Sequence, residues 1–278
     1  MKKISRRSFM AAVAVSVAAL AMTACGGSAS SAASSVASSA ASSEAASSAA
    51  AADLTTVEAG KLTMATNAAF PPYEMTTDAG EFEGIDVDTA KAIAEKLGLE
   101  LQIDDMDFDA ALLSVQQGKA DIVMAGVTVT DERKAVMDFS DSYATGIQSI
   151  IVPKGSDIAS PDDLAGKKIG TQRGTTGYIY CSDDFGDENV VAYDDGLTAV
   201  QALNNGQVDA VVIDNAPAQE FVAANPGLKV LDTSYAEEDY AIGMAKGSAL
   251  EDAVNKALDE LKADGTLQAI VDKYINAN

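Results

Sequence analysis

The chain has 278 residues, a formal net charge of −23, no histidine, no tryptophan and two cysteines. Without histidine, a Ser-His-Asp or Cys-His nucleophile and a metal site built on imidazole are excluded, and two cysteines are too few for a structural zinc site or a disulfide framework. Four of the 19 basic residues and none of the 42 acidic ones precede residue 25, so the rest of the chain is strongly negative. A negative charge of this size does not suit the binding of nucleic acid. We expect no nucleic-acid partner, no metal and no cofactor.

The first 24 residues are typical of an export signal. A basic stretch precedes a mostly apolar segment, 9–22, which is short for a membrane span and suits the core of a signal peptide. Residues 22–26 (MTACG) resemble a bacterial lipobox, in which cleavage leaves a lipidated cysteine at the new N-terminus. We therefore predict a signal peptide over 1–24 and lipidation of Cys25, on the extracytoplasmic face of the cell membrane. An ordinary signal with an incidental cysteine is the alternative, and Arg6-Arg7 leaves twin-arginine export open.

The next segment is composed almost wholly of serine and alanine, from residue 26 to residue 52. Interleaved serines compete for the backbone hydrogen bonds of a helix, and the segment has no apolar face to bury. We predict a lipidated cysteine and flexible tether over 25–54, with a root-mean-square span of roughly 30 Å. A tether of this kind would hold a folded domain clear of the membrane.

Strand-like and helix-like segments alternate after the tether, which indicates an α/β fold with parallel strands. The strands predicted in chain order are 61–66, 101–103, 121–125, 168–171, 190–193 and 240–245. The helices predicted in chain order are 86–97, 109–117, a helix from Ser160, a helix from Thr175, 197–204, 216–222, a capped helix from Ser248 and a last helix from Thr266.

One segment of the chain is repeated. Residues 116–123 (QQGKADIV) are echoed by residues 204–211 (NNGQVDAV), each with a helix end, a glycine and an aspartate before an apolar strand. The echo predicts two similar lobes, the first formed by 55–146 and 240–278 and the second by 147–239. A chain that crosses twice between two open sheets makes a hinge with a cleft between the lobes.

Ligands of such sheets bind beyond the carboxyl ends of the strands. Among the charged residues near these ends, Arg133 offers a planar fork to a carboxylate and Asp214 can accept from an ammonium group, which together fit a zwitterion such as an amino acid. The strand ends lie at 67–70, 125–128, 172–177 and 214–215.

Six segments of the chain match one known family: 65–74 (ATNAAFPPYE), 82–87 (FEGIDV), 125–133 (AGVTVTDER), 138–141 (DFSD), 168–177 (KIGTQRGTTG) and 209–217 (DAVVIDNAP). With these segments, the stretch from about 62 to 275 resembles the extracellular solute-binding proteins of amino-acid ABC importers, the family of glutamine-, histidine- and arginine-binding proteins. The resemblance implies a two-lobed periplasmic-binding-protein fold, each lobe an open α/β sheet, and no catalytic residue. It implies as partners a free amino acid and an ABC permease with its ATPase, and we expect a monomer.

The resemblance also implies roles for single residues. Arg133 would hold the ligand carboxylate with the start of the helix at 175–176, and Asp214 would accept from the α-ammonium. Two aromatic side chains would sandwich the ligand side chain, and two polar residues would tune selectivity. The ligand-binding residues implied are Asn67, Phe70, Phe108, Ala125, Gly126, Thr128, Arg133, Gln172, Thr175, Thr176 and Asp214.

Each of these roles has a structural alternative. Arg133 lies in a helix start and could form an exposed ion pair, Asp214 could merely cap a helix, and Gln172 could be a solvated strand end. Phe70 and Phe108 could belong to the core. Acidic runs, among them 237–239, lack calcium-loop spacing and are interpreted as solvated surface.

The ligand and two other classes of function stay open. Asn67 is neutral where relatives that bind cationic amino acids often carry an acid, so we expect a polar uncharged amino acid such as glutamine or cystine; Arg173 leaves an acidic ligand open. The fold also resembles that of a cyclohexadienyl dehydratase, an enzyme, although no acid-base pair is identified here. A ligand-sensing module is the third class. Cys181 has no predicted partner, and we expect no intramolecular disulfide.

Overall fold

The computed structural model describes residues 54–275, which contain two larger β-sheets. In the first sheet, the strand that opens the domain pairs in parallel with two neighbours, and the strand nearest the C-terminus pairs antiparallel with two others. The sheet order is β5-β1-β6-β14-β7, where the strands are β1 (Lys61–Thr66), β5 (Glu100–Asp105), β6 (Ile122–Val123), β7 (Met137–Phe139) and β14 (Gly243–Ala245).

The second sheet has six strands, three of them parallel and three joined by antiparallel pairing. The strands are β8 (Ala144–Pro153), β9 (Ile169–Gln172), β10 (Val190–Tyr193), β11 (Ala210–Asp214), β12 (Leu228–Val230) and β13 (Ala236–Tyr240). The order is β10-β9-β11-β8-β12, and β13 also pairs with β8. A third, small sheet contains β2 (Ala69–Phe70), β3 (Glu74–Thr76) and β4 (Phe82–Glu83).

Helices cover the two larger sheets. Pro161–Leu164 and Asp187–Asn189 are short 3-10 helices, and no helix within residues 54–275 is long and apolar enough to cross a membrane. The α-helices are α1 (Ile85–Leu97), α2 (Phe108–Gln116), α3 (Asp131–Lys134), α4 (Thr176–Phe185), α5 (Gly196–Asn204), α6 (Asn215–Ala224), α7 (Glu251–Ala263) and α8 (Thr266–Ile275).

The side chains of the first sheet alternate between two cores, as the pleat of a strand requires. Leu62, Met64 and Ile122 are fully buried in a cluster with residues of α1, α7 and α8. Ala65 and Val123 point to the other face and pack with residues of α2. Both faces of the central strands are therefore covered by helices. We call this sheet with α1–α3, α7 and α8 lobe one.

The second sheet is buried in the same way. Val211 and Ile213 pack with residues of α5 and α6, whereas Ala210 and Val212 pack in a separate cluster with Cys181 of α4. We call this sheet with α4–α6 lobe two. The predicted two-lobed α/β fold is confirmed, although both sheets are mixed and the sequence indicated parallel strands only.

The repeated segment has the same geometry in both lobes. Gly118 and Gly206 follow the ends of α2 and α5 with φ angles of 65° and 68°, values that suit glycine. The carboxylate of Asp121 then accepts a hydrogen bond from a backbone amide of β1, and that of Asp209 accepts one from the amide just before β9, both at 2.8 Å. Each aspartate therefore ties the start of one buried strand to its parallel neighbour.

The chain passes between the lobes in two neighbouring segments. It leaves lobe one between β7 and β8 and returns between β13 and β14. The predicted lobe limits, 146/147 and 239/240, fall within β8 and β13. These two strands pair with each other, with Thr145 opposite Asp239, so the two crossings form one antiparallel ribbon.

Three details of the predicted elements are wrong. The strand predicted at 240–245 is two strands, because the chain changes sheets at Ala241 and Ile242. The helix predicted from Ser160 is a single 3-10 turn, although Asp163 accepts from both the amide and the hydroxyl of Ser160. The capping box predicted at Ser248 is absent: the hydroxyl of Ser248 accepts from the amide of Leu250, and α7 begins one residue later.

Candidate ligand-binding site

A cavity lies between the lobes where the carboxyl ends of both sheets meet. All eleven residues predicted to bind ligand line it, together with five others. The predicted ones are Asn67, Phe70, Phe108, Ala125, Gly126, Thr128, Arg133, Gln172, Thr175, Thr176 and Asp214; the others are Glu74, Gln148, Val212, Ile213 and Tyr240.

Arg133 is the cation of this cavity. It belongs to the short helix α3, which Thr130 caps by accepting from the amide of Arg133 at 3.2 Å, and its side chain turns inward so that the residue is 8% exposed. Nη1 donates to the carbonyl of Thr128 (2.8 Å) and Nη2 to that of Gly174 (3.1 Å). Burial lowers the pKa of Arg133. No ion pair to Arg133 occurs among the described residues, so the alternative of an exposed ion pair is wrong.

Asp214 approaches the cavity from the other lobe, at the end of β11. It is 2% exposed, and it caps α6 because Oδ1 accepts from the amide of Ala216 at 3.0 Å. Oδ2 accepts from the amide of Ile147 at 2.7 Å. Burial raises the pKa of Asp214 to about 6, against the effect of these two bonds and of one from Tyr240. The capping alternative is thus correct, and the residue lines the cavity as well.

The start of α4 contributes backbone amides to the cavity wall. Thr175 caps this ten-residue helix, since its hydroxyl accepts from the amide of Tyr178 (3.3 Å) and donates to the carbonyl of Gln172 (2.8 Å). The hydroxyl is therefore already used within lobe two. The amides that open a helix attract an anion, and Thr176, 2% exposed, is the first residue of α4.

The two predicted aromatic residues occupy different environments. Phe70 is half-buried, packs against the cores of both lobes and stacks on Tyr73 with ring centres 5.7 Å apart. Phe108, the first residue of α2, is 6% exposed and belongs to the hydrophobic core, as its structural alternative stated. The centre of its ring also lies 5.4 Å from the guanidinium of Arg133. Phe108 thus serves the core and the cavity together.

Hydrogen bonds across the cavity join the lobes. Gln172 Nε2 donates to Asn67 Oδ1 at 2.8 Å, the hydroxyls of Thr128 and Thr176 lie 3.3 Å apart, and Arg133 donates to Gly174 as described. Gln172 is 4% exposed, so its alternative as a solvated strand end is wrong. The cleft is closed over these residues.

Sequence reasoning missed a carboxylate in the hinge. Glu238 was assigned to an acidic surface run, but strand alternation turns it inward between two exposed acids, and it is 6% exposed. Its Oε2 accepts from Thr128 (3.1 Å) and from Gln148 (2.9 Å). The period-2 pattern of 236–240, with Glu238 and Tyr240 on one face, is the signal that could have revealed it.

Comparisons with known proteins identify the family. Residues 62–277 match the family described as bacterial extracellular solute-binding proteins, family 3. An L-cystine-binding protein of Escherichia coli is 34% identical over 226 residues, covering 80% of this chain and 85% of the relative. A probable histidine-binding protein of Neisseria gonorrhoeae is 34% identical over 272 residues, covering 95% of this chain and 94% of the relative.

Solved structures show the same fold. The arginine-, lysine-, histidine-binding protein ArtJ of Geobacillus stearothermophilus superposes with a TM-score of 0.75 at 35% identity, covering 78% of this chain and 96% of that one. An ancestral arginine-binding protein bound to glutamine gives a TM-score of 0.74 at 43% identity, covering 78% and 98%. These relatives are named as binding proteins, which supports the prediction of a binding protein over that of an enzyme. The chain belongs to the bacterial extracellular solute-binding proteins of family 3.

Proposed function

We propose that this protein captures one free α-amino acid in the inter-lobe cavity and delivers it to an ABC permease with its ATPase. The observation that carries the proposal is the pairing of Arg133 and Asp214, which are buried in opposite lobes and line one cavity. Within residues 54–275 the Arg133 guanidinium forms no ion pair, although the Glu238 carboxylate acts on its charge; such a buried cation favours an anionic ligand group, and a buried carboxylate suits an ammonium group. Relatives named for cystine, histidine, arginine and glutamine support the amino-acid class.

The proposed roles follow from the position of each residue. Arg133 and the amides at the start of α4 bind the α-carboxylate, and Asp214 with the backbone at Gly126 and Thr128 binds the α-ammonium. Phe70 and Phe108 flank the ligand side chain. A ligand held in this way contacts both lobes, and only such contacts favour closure over the open form.

A polar uncharged side chain is the proposed ligand class. Asn67 and Gln172, the neutral pair that bridges the lobes, supply amide donors and acceptors at the cavity. Arg173, which left an acidic ligand open, is instead exposed and paired with Asp194 at 3.3 Å. Glutamine and cystine therefore remain the leading candidates.

A panel of amino acids in a thermal-shift assay tests the class. A ligand at a hundred times its dissociation constant stabilises the folded state by about 2.7 kcal/mol, and calorimetry then measures affinity. A shift by glutamine or cystine, with none by glutamate, is expected. A panel without any response contradicts the amino-acid class, and turnover of prephenate or arogenate would favour the dehydratase.

We also propose that the mature protein is a monomer anchored to the cell membrane by lipid on Cys25, with the tether over 25–54 and the lobe limits predicted above. The signal, Cys25 and the tether up to residue 53 lie outside the described residues; the family description as extracellular proteins supports an extracytoplasmic location. Labelling of cells with a radioactive fatty acid tests the anchor. Label is expected in the wild type and not in Cys25→Ser, and equal label in both would contradict it.

A further inference from the structure

Two carboxyl groups lie side by side beneath the cavity, and the proposed roles do not use them. Glu74, at the start of β3, lines the cavity, and Asp86 lies in the first turn of α1; both are 0% exposed. Neither forms an ion pair with any residue in the described range 54–275. Two charged carboxylates in contact would repel each other strongly at such a site.

The backbone fixes the two residues in place. The amides of Ile85 and Asp86 donate to the carbonyls of Pro72 and Tyr73 at 3.0 and 2.9 Å, which attaches the start of α1 to the segment before β3. Gly84 makes this approach possible: its φ is 133°, and a Cβ there would lie 2.1 Å from the carbonyl oxygen of Tyr73. The carboxyl groups of Glu74 and Asp86 interact directly, and these backbone contacts hold the two residues together.

The donors around the pair favour a charge on Asp86. Its Oδ2 accepts from the amide of Gly126 at 2.9 Å and from the hydroxyl of Tyr143 at 2.8 Å, and the first turn of α1 stabilises a negative charge. By contrast, Oδ1 of Asp86 and both carboxyl oxygens of Glu74 are buried and receive no bond from an N–H or hydroxyl group of the described residues. A proton on Glu74 that is donated to Asp86 removes the repulsion between the two charges. It also gives some of these buried oxygens a hydrogen-bond partner.

The titration of the groups agrees with that arrangement. Burial raises the pKa of Glu74 well above its usual value, and the nearby charge of Asp86 raises it further. Burial also raises the pKa of Asp86, to about 6, but the bonds from Gly126 and Tyr143 oppose the rise. The other titratable groups that act on the pair are acids and phenols: Tyr73, Asp105 and Tyr143.

Asp86 connects the pair to the cavity through Gly126. Gly126 has a φ of 55°, and a Cβ there would lie 2.9 Å from Cε1 of Phe70 and 3.2 Å from Tyr240, so this turn has little room to shift. The hydrogen bond from the amide of Gly126 to Asp86 determines how the peptide groups at Ala125 and Gly126 face the cavity.

We propose that Glu74 and Asp86 hold one proton between them and that Asp86, as the ionised member, is a positioning residue that orients the Gly126 turn for ligand. The positioning role rests on the proposed function, whereas the shared proton does not. The two parts are therefore tested separately.

The shared proton is tested without ligand in Glu74→Gln. At about pH 8, where ordinary carboxyl groups are ionised, infrared spectroscopy is expected to detect the carbonyl stretch of a protonated carboxyl in the wild type and not in the variant. The folded wild type binds one more proton than the unfolded chain, so rising pH destabilises it. We compare the equilibrium constant for unfolding of the wild type with that of Glu74→Gln. The ratio of the two is expected to increase about tenfold per pH unit, from roughly pH 5 up to the pKa of the pair.

The positioning role is tested by ligand binding in Asp86→Asn. Loss of the charge weakens the bond to Gly126, and affinity for the amino acid found in the panel is expected to fall about tenfold. The matched control is Asp88→Asn, two residues further along α1, where the carboxylate is paired with Lys273 at 2.7 Å outside the cavity; its affinity is expected to stay unchanged. Should Asp86→Asn fold poorly, Tyr143→Phe removes the other donor and is expected to shift the infrared band.

The outcomes separate the two proposals. Parallel stability profiles for the wild type and Glu74→Gln, or an identical infrared spectrum, overturn the shared proton. Equal affinity in the wild type and Asp86→Asn overturns the positioning role. If no amino acid binds the wild type, the proposed function fails while the infrared result still decides the proton.

Discussion

Arg133 and Asp214 are held by different kinds of bonds, although both line the same cavity. The guanidinium uses two of its five N–H donors on carbonyl groups, one of them in the opposite lobe. The carboxylate of Asp214 already accepts from two backbone amides of its own lobe. Arg133 therefore has N–H donors left for a ligand. Asp214, by contrast, also connects α6 to β8 through its two backbone hydrogen bonds.

Arg133→Ala is expected to abolish measurable binding and to leave the fold intact. Loss of one partner of a buried charge pair costs about 3 to 5 kcal/mol, or more than roughly a hundredfold in affinity. Calorimetry with the ligand from the panel measures the change. Arg173→Ala is the matched control, because Arg173 is exposed and paired with Asp194; wild-type affinity in Arg133→Ala would refute the assignment.

Asp214→Ala is expected to lose both binding and stability. Besides the ligand contact, it removes the cap of α6, which costs about 1 kcal/mol. A urea titration separates the two effects, since Arg133→Ala should not move its midpoint by a comparable amount. An unchanged midpoint in Asp214→Ala would show that the cap contributes nothing.

Sequence reasoning located Arg133 and Asp214 but not the other buried acids in and beside the cavity. Both residues lie near strand ends, but the local pattern also allowed an exposed ion pair and a helix cap, and it was the family resemblance that indicated ligand contact. Glu74, Asp86 and Glu238 depend on contacts between distant segments, such as the bond from Tyr143 to Asp86. A local pattern can place a carboxylate on an inward face, as the alternation over 236–240 does for Glu238, but the partners of that carboxylate are defined only when distant segments fold together.

At the scale of single elements, the repeated helix-glycine-strand segment has the same purpose in both lobes. Gly118 and Gly206 adopt left-handed φ angles, and a Cβ at either would meet no atom within 4 Å. The sites therefore require glycine for the backbone conformation and not for space. The aspartates that follow then align buried strands in the same register in each lobe.

Gly118→Ala and Gly206→Ala are expected to destabilise the protein by similar amounts, about 1 kcal/mol each, since alanine is strained at a positive φ. Neither residue lines the cavity, so affinity should not change. Urea unfolding of the two variants measures the effect. A large difference between them would mean that the two segments, despite their shared geometry, contribute differently to the stability of the protein.

Periodicity predicted several helices and strands well and the hinge poorly, since β8, the longest strand described, was not predicted. The helices α1, α2 and α5 and the strands β1 and β10 begin and end within one or two residues of their predicted limits, because each is amphipathic or buried over its whole length. Residues 240–245 read as one strand since their apolar run continues through the crossing. Only tertiary pairing, with Tyr240 in one sheet and Gly243 in the other, divides it.

At the scale of the whole molecule, the closed cleft contains bonds that do not involve ligand atoms. Gln172 and Asn67 join the lobes directly at 2.8 Å, and this bond can form only when the lobes approach. Such a contact adds to the stability of the closed form without changing the first encounter with ligand. Its contribution should therefore appear in the rate at which ligand leaves.

Gln172→Ala is expected to raise the dissociation rate of the ligand about three- to tenfold and to leave the association rate nearly unchanged. The size follows from the net value of one hydrogen bond, about 0.5 to 1.5 kcal/mol. Stopped-flow measurement of both rates tests it, with Arg173→Ala as the adjacent exposed control. A change confined to the association rate would mean that Gln172 acts before closure, on the open lobe, and that the bridge to Asn67 does not hold the cleft shut.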